Sequence, residues 1–468
     1  MKVKMILPAL TEAKSPFWRP IKYSLFPPLG LATLAAYLDA DDEITLQDEH
    51  VEVLNLTDSP DLVVIQVYIT SAYRSYEIAD LYRARGCFVC LGGLHVTSLP
   101  EEAATHGDAL FLGPGEDTWP AFLLDYRLGK PKKIYQSTKR TLIQAPFPRR
   151  DLLKRHLYLV PNSIVVSRGC PYQCDFCYKA SFFKGGLSFY TQTVDRALAE
   201  IESLPGRHLY FLDDHLFGNP RFATDLFDGM RGMGRLWQAA GTVQSILAPA
   251  LIPQAAAAGL RSLFVGFETL NPKNLREQRK YQNLDRDYSA AVHRLHENGV
   301  MVNASFVFGM DEDDEDTFDR TVNWAVEQGI ETATFHILTP YPDTALYKRM
   351  QQQDRLTSLN WDLYDTRHAV FQPLRMSAQT LESGYWRAYR NFYSWSNILG
   401  STAQQTELYS GLRHFAYKTA WKKLEPFWDW VICLKRVSSF TQLLEAVLSG
   451  KQPSKQDVDV LSIESASL

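Results

Sequence analysis

Between Ser163 and Pro340, six apolar, β-compatible runs alternate with five helix-like segments, and this rhythm limits the fold more than any other feature of the chain. The strand candidates are SIVVS, HLYFLDD, LWQAAGTVQ, RSLFVGFE, MVNASFVFG and TATFHILTP. Between them lie TVDRALAEIESL, PRFATDLFDGM, IPQAAAAG, DYSAAVHRLHENG and DTFDRTVNWAVEQG. Several run into a glycine, which readily ends a helix. Strand and helix in turn predict a partial (β/α)6, TIM-like barrel. Groups that do chemistry then belong on the loops that follow the strands.

The first 140 residues carry a second alternation. KVKMILPA, EITLQDEH, DLVVIQVYI, CFVCLGG and ALFLGPGE read as strands. PPLGLATLAAYLDA and AYRSYEIADLYRARG read as helices, the latter closed by Gly86. This predicts a Rossmann-like, doubly wound sheet, with DLVVIQVYI as a central parallel strand. Ligands of such sheets sit at the carboxyl ends of the strands. There the sequence places Gly92, Gly93, Gly113, Gly115 and Glu116. Glycines at these places either admit a bulky ligand close to backbone or simply make tight turns. A G-x-G-x-x-G fingerprint is absent.

The expected division is a Rossmann-like domain at 1–140, a linker at 141–162, the barrel at 163–345, an aromatic-rich, mainly helical region at 346–450 and a disordered tail at 451–468. A net charge of −4 argues against nucleic-acid binding by bulk electrostatics. Six cysteines in 468 residues are no disulfide framework and fit a reducing, cytoplasmic setting. The apolar run in MKVKMILPA is too short for a signal segment, and no run of 18 apolar residues occurs, so no transmembrane helix is expected.

Three of the six cysteines, Cys170, Cys174 and Cys177, crowd into SRGCPYQCDFCYK, directly after the first barrel strand. The spacing C-x3-C-x2-C aims three thiols at one object, and thiolates suit zinc or an iron–sulfur cluster. Structural zinc wants a fourth ligand, and Cys87, Cys90 and Cys433 are remote in sequence. A [4Fe–4S] cluster with three cysteine ligands leaves one iron open for a substrate or cofactor. Cys87 and Cys90 stand three apart on one strand, so they point to opposite faces and form no second site. Asp213 and Asp214 end the second strand, where a carboxylate either caps a turn or accepts hydrogen bonds from an ammonium group. Glu268 ends an apolar strand, an expensive place for an idle charge. The acidic run 311–316 reads as a solvated loop, and His50, His95, His215 and His336 as ordinary polar contacts.

The cysteine loop, with Phe176 before its last thiol, resembles that of the radical S-adenosylmethionine (SAM) superfamily. Further motifs fall in register: FLDDHLFGN after the second strand, VGFETL at the fourth, FVFGMDEDDEDTF after the fifth and LTPYPDTALY after the sixth. FPPLGLATLAAYL, GGLHVTSLPEE and LGPGEDTWPAFL resemble the cobalamin-binding subgroup, which includes hopanoid methylases and the oxygen-independent bacteriochlorophyll cyclase. The likeness spans roughly residues 1–400. The D-x-H-x-x-G motif that supplies a cobalt-ligating histidine in many corrinoid proteins is missing here, as in many members of the subgroup.

The resemblance implies a [4Fe–4S] cluster on Cys170, Cys174 and Cys177, and SAM held near Phe176, Asp213, Asp214 and Glu268. It implies cobalamin near Gly92, Gly93, His95, Gly113, Gly115 and Glu116. The implied chemistry is reductive cleavage of SAM to a 5′-deoxyadenosyl radical, and the leading reaction is methylation of an unactivated carbon. An external electron donor such as a flavodoxin or ferredoxin, and a small-molecule or lipid-like substrate, go with it. The alternatives are a cyclase or rearrangement enzyme whose first domain is only a scaffold, and a zinc-stabilised corrinoid-binding protein without activity. Residues 401–452 interleave seven Lys/Arg and four Asp/Glu with aromatic side chains, a composition that suits either a helical cap on the barrel or a membrane-surface contact.

Overall fold

The computed structural model describes residues 1–13, 21–403 and 408–449. The tail expected at 451–468 lies outside the described residues.

Six strands build the first sheet: β1 (Lys2–Leu7), β2 (Glu43–Asp48), β3 (Leu62–Gln66), β4 (Phe88–Gly92), β5 (Ala109–Leu112) and β6 (Ile134–Gln136). All pair in parallel, in the order β2-β1-β3-β4-β5-β6. The order reverses at β1, the doubly wound topology that the alternation predicts. β6 was not expected; IYQ adds three residues to the open edge of β5. Cys87 packs with the hydrophobic cluster on one face of the sheet and Cys90 with that on the other, as their spacing requires.

The second sheet holds all six expected barrel strands: β7 (Ser163–Ile164), then, after a short hairpin, β10 (His208–Phe211), β11 (Leu236–Gly241), β12 (Leu260–Glu268), β13 (Met301–Phe308) and β14 (Thr332–Ile337). They pair in parallel in chain order. Sequence pattern and structure differ at SIVVS. It stops pairing after Ile164, and the chain re-pairs as β8 (Ser167–Gly169), antiparallel to β9 (Phe189–Thr191). The cause lies elsewhere in the chain. The Asp213 carboxylate accepts bonds from the Val166 and Ser167 amides and draws that backbone away from the sheet.

A six-stranded partial barrel leaves the far side of β14 unpaired, a liability that must be covered. Tyrosines of the helix Ala378–Phe392 and its cap do this. The Tyr389 hydroxyl meets the backbone N–H and C=O of Phe335 at 3.1 and 3.2 Å, and the Tyr393 hydroxyl meets those of Ala333 at 3.1 and 2.9 Å. The C-terminal region also reaches the first sheet. Trp361 buries its ring there and donates Nε1–H to Glu102 at 2.9 Å. Among the described residues, no helix is long and apolar enough to cross a membrane.

Candidate active site

The cysteine loop leaves β8 at the carboxyl end of the barrel. Hydrogen bonds from its own backbone fix it: Cys170 N–H to Ser188 O at 2.9 Å, Cys177 N–H to Cys174 O at 3.0 Å, and Asp175 N–H to Gln278 O at 3.0 Å. Asp175 is buried, and its carboxylate holds Arg349 at 2.8 Å and Arg279 at 3.2 Å. This tethers the loop to the helix Ala345–Gln352 and to the segment after β12.

Cys174 is buried, while Cys170 and Cys177 are half-buried. Burial pushes all three thiols up, Cys177 to about 11, and Lys280 pulls Cys170 and Cys174 the other way. Gln282 donates Nε2–H to Cys174 Sγ at 3.4 Å. Among the described residues, no three His, Cys, Asp or Glu side chains gather around a single ion position. Three thiols that each bind a different iron of a cluster do not need to, whereas one tetrahedral zinc at ~2.3 Å Zn–S does. The donor set fits a [4Fe–4S] cluster.

Beside the thiols, β12 ends on Glu268, which is buried and sits in the left-handed region at φ 65°. Its Oε1 accepts from Lys280 Nζ at 2.7 Å. Gly266 makes room for this pair, because a Cβ there would lie 2.5 Å from Glu268 Oε1 and 3.3 Å from Lys280 Nζ. Lys280 also stands 6.0 Å from the Phe176 ring centroid, and Phe176 rests against the barrel core. Burial works against the charge on Lys280, but the Glu268 carboxylate, aided by Cys174 and Cys177, outweighs it and keeps the lysine charged.

The two aspartates that end the second strand divide. Asp213 is buried and turned onto the β7–β8 break, where Ser167 Oγ donates to it at 2.5 Å. Burial lifts its carboxyl to about 7 against the hydrogen bonds that lower it. Asp214 is half-buried, accepts from Gly169 N–H at 2.9 Å and pairs with Lys179. Of the two, Asp214 is the one at the mouth of the barrel.

Gly92, Gly93, Gly113, Gly115 and Glu116 together line one cleft of about 130 Å3 at the carboxyl ends of the first sheet's strands. Gly93 (φ 118°) and Gly113 (φ 83°) lie in the left-handed region. A Cβ would also strike Val67 O at 2.7 Å from Gly93 and Ser137 Cβ at 3.0 Å from Gly113. Part of the glycine pattern therefore serves the turns themselves. His95 lies next door, in a 210 Å3 cavity with Tyr178 and Tyr341. Its Nε2 meets Glu102 at 2.9 Å, and its buried Nδ1 has no partner among the described residues. Glu116 pairs with Arg168 of β8. Arg168 and Phe182, which bracket the cysteine loop, both line the glycine cleft.

Sequence reasoning missed Lys280, Gln282, Asp175 and Arg349. A buried lysine inside REQRKYQN looks like surface charge until Glu268 is seen opposite it. His50 and His336 make polar contacts, His50 with Asp48 and His336 with Thr366, whereas His215 is buried 5.7 Å from the Tyr172 ring, where burial depresses it to about 4. The acidic run is loop structure but not solvated throughout, because Asp313 is buried and accepts from the Gly309 and Met310 amides at 2.9 and 3.0 Å.

Residues 164–325 match the Radical SAM superfamily model. The chain carries a radical SAM domain. The resemblance read from the motifs is thus borne out, and a radical SAM domain implies a [4Fe–4S] cluster and SAM. Residues 344–448, beyond the radical SAM domain, match a domain of unknown function, DUF4070. The chain is 29% identical over 387 residues to the bacteriochlorophyllide d C-12(1)-methyltransferase of Chlorobaculum tepidum, across 80% of this chain and 84% of that one. It is 26% identical over 352 residues to the hopanoid C-2 methylase of Rhodopseudomonas palustris, across 71% of this chain and 66% of that one. Among solved structures it is similar in fold to OxsB, a cobalamin-dependent SAM radical enzyme solved with aqua-cobalamin bound. The TM-score is 0.65 at 14% identity, over 91% of this chain and 72% of that one.

Proposed function

We propose that this chain is a cobalamin-dependent radical SAM C-methyltransferase. One observation carries the reading furthest: the element that bears the three cysteines also walls the glycine cleft, through Arg168 and Phe182. Two reactive groups bound at these places would face one another across a single space. Relatives named as methyltransferases for a tetrapyrrole and for a hopanoid support the same reading.

In this assignment Cys170, Cys174 and Cys177 hold the cluster, and Glu268 and Asp214 receive the SAM amine. Asp213 instead holds backbone. Phe176 shields the site, and Lys280 fixes Glu268 in place. Gly92, Gly93, Gly113 and Gly115 admit cobalamin close to backbone, with His95 and Glu116 at its edge. When bound, the cluster and SAM supply a carbon-centred radical and cobalamin supplies the methyl group. The protein's part is to orient these groups and exclude water. The substrate is a small molecule, lipid-like in character, and the electron comes from an external one-electron donor. Phe427, Trp430, Leu434 and Leu443 are exposed on the C-terminal helices, which supports contact with a membrane surface.

Anaerobic reconstitution with iron and sulfide, on protein expressed with cobalamin uptake, tests the assignment. About four irons per chain, broad absorbance near ~400 nm and one extracted corrinoid are expected. Iron with no corrinoid would leave the first domain a scaffold, and colourless protein retaining zinc would remove the enzyme reading altogether.

A further inference from the structure

The barrel is packed on its outer face and open on its inner one. Facing the helices, Phe211, Ala239, Leu263, Val265, Phe306 and Phe335 are fully buried. Facing inward on the same strands, Tyr210, Ala240, Phe264, Gly266, Asn303 and Thr334 are only half-buried. A closed TIM barrel fills its interior with layers of side chains. This one keeps a lumen.

At the end away from the cysteine loop the barrel interior holds a cavity of about 540 Å3. Its walls are inward residues of β10 to β14. Its floor is the C-terminal region, which contributes Phe415, Tyr417, Trp428, Phe440 and Leu444 from three helices and a short turn. Among the described residues, no charged side chain lines the cavity. Two polar groups of the wall, Gln238 and Tyr417, are bonded to one another and to residues behind them, while the buried Thr332 hydroxyl has no partner among the described residues. Gln238 Nε2 donates to the Tyr417 hydroxyl at 3.0 Å, that hydroxyl meets Ser262 Oγ at 3.1 Å, and Gln238 Oε1 meets His208 Nε2 at 3.1 Å. Such a space offers water few partners and suits an apolar ligand. Along β12, Phe264 in the cavity wall and Glu268 at the cluster end are four residues apart, but a bulge between Gly266 and Glu268 sets them against three steps of β13, a rise of roughly 10 Å at the ordinary strand spacing. Gly266 and Ser305, both small, pair with one another at the level between, and Ala240 stands beside Phe264.

We propose that this cavity holds the hydrocarbon part of the enzyme's substrate. At ~30 Å3 per water-sized group it accepts a chain or fused-ring system of roughly eighteen carbons. The reacting carbon then lies at the level of Glu268. This rests on the radical SAM reading above, and it makes the C-terminal region of unknown function the floor of the substrate channel.

cis-Parinaric acid, an eighteen-carbon fluorescent polyene, is the probe. Full-length protein should bind it saturably at one site. Ala416→Phe and Ala420→Phe, which fill the cavity from the helix Leu408–Lys422, should weaken binding at least tenfold. Leu412→Phe, 60% exposed on the same helix, should leave it unchanged. With stearate bound, amide exchange in the helices at 408–422 and 441–448 should slow, and exchange in the first sheet should not. Absence of saturable binding, equal binding by filled variants that melt at or above the wild type, or unchanged exchange in those helices would each overturn the proposal. Cleavage of SAM to 5′-deoxyadenosine, measured on the same preparations without probe, reports on the enzyme reading separately.

Discussion

Replacing Lys280 by methionine tests whether the Glu268–Lys280 pair is what holds the end of β12 in place. Both side chains are 10% exposed and their charged atoms are 2.7 Å apart. Removing one partner leaves the other as a buried, unpaired charge, which costs ~3–5 kcal/mol. Glu268 also holds a left-handed backbone conformation that costs about 1–3 kcal/mol and persists only while its surroundings enforce it. In a cooperative unit of 150–250 residues, each kcal/mol moves the melting temperature by roughly 2–4 °C, so Lys280→Met should lower it by roughly 6–20 °C. Glu268→Gln should do the same for the converse reason. The double variant removes both charges and should recover most of the loss, a coupling of at least ~2 kcal/mol. The assay is thermal melting of the cofactor-free chain, with SAM binding measured by calorimetry on the reconstituted protein. SAM binding should fail in all three variants, because the carboxylate is absent or displaced. Single variants that melt with the wild type, or a double variant whose loss equals the sum of the singles, would show that the pair holds nothing.

Each of Cys170→Ala, Cys174→Ala and Cys177→Ala should abolish the ~400 nm absorbance after reconstitution, while Cys87→Ala and Cys433→Ala retain it, as iron analysis would show. Asp213→Ala should cost more than ~3 kcal/mol in urea unfolding, because it strands the Val166 and Ser167 amides, whereas Asp213→Asn keeps an acceptor and should cost under ~1 kcal/mol. Burial depresses His208 to about 4 from its ordinary 6.5. As pH falls from 6.5 through 4 the unfolded chain takes up this proton first, so the wild type loses up to ~3 kcal/mol that His208→Gln does not lose. The disadvantage of that variant at pH 7.5 should therefore shrink at pH 4.5; a constant gap would mean that His208 is not held neutral.

Where the fold was legible, the cause was local. Six runs with a fully apolar alternate face announced six parallel strands, and the three-residue spacing of Cys87 and Cys90 placed them on opposite faces of one sheet. Where it was not, the cause was distant in sequence. SIVVS reads as one strand, and only the Asp213 carboxylate, some 47 positions on, breaks it after Ile164. IYQ has no strand signal of its own; the open edge of β5 recruits it. Lys280 sits in a run of charge and becomes a site residue only because β12 delivers Glu268 to it.

The same reasoning explains why the aspartate pair could not be assigned from sequence, and how it could have been. Successive residues of an extended chain point to opposite sides. On β10 the outward set is Leu209 and Phe211, both fully buried, and Asp213 continues it. Tyr210 and Leu212 are half-buried and lead to Asp214. One aspartate was bound to meet neighbouring backbone and the other the barrel mouth. On β12 the same parity runs from Phe264 to Gly266, and a bulge between Gly266 and Glu268, with Glu268 at φ 65°, then sets the carboxylate. The inner set there is small or polar at the cluster end and aromatic lower down. A column of that kind cannot pack a barrel shut, and its open volume gives a radical enzyme somewhere to put a hydrocarbon.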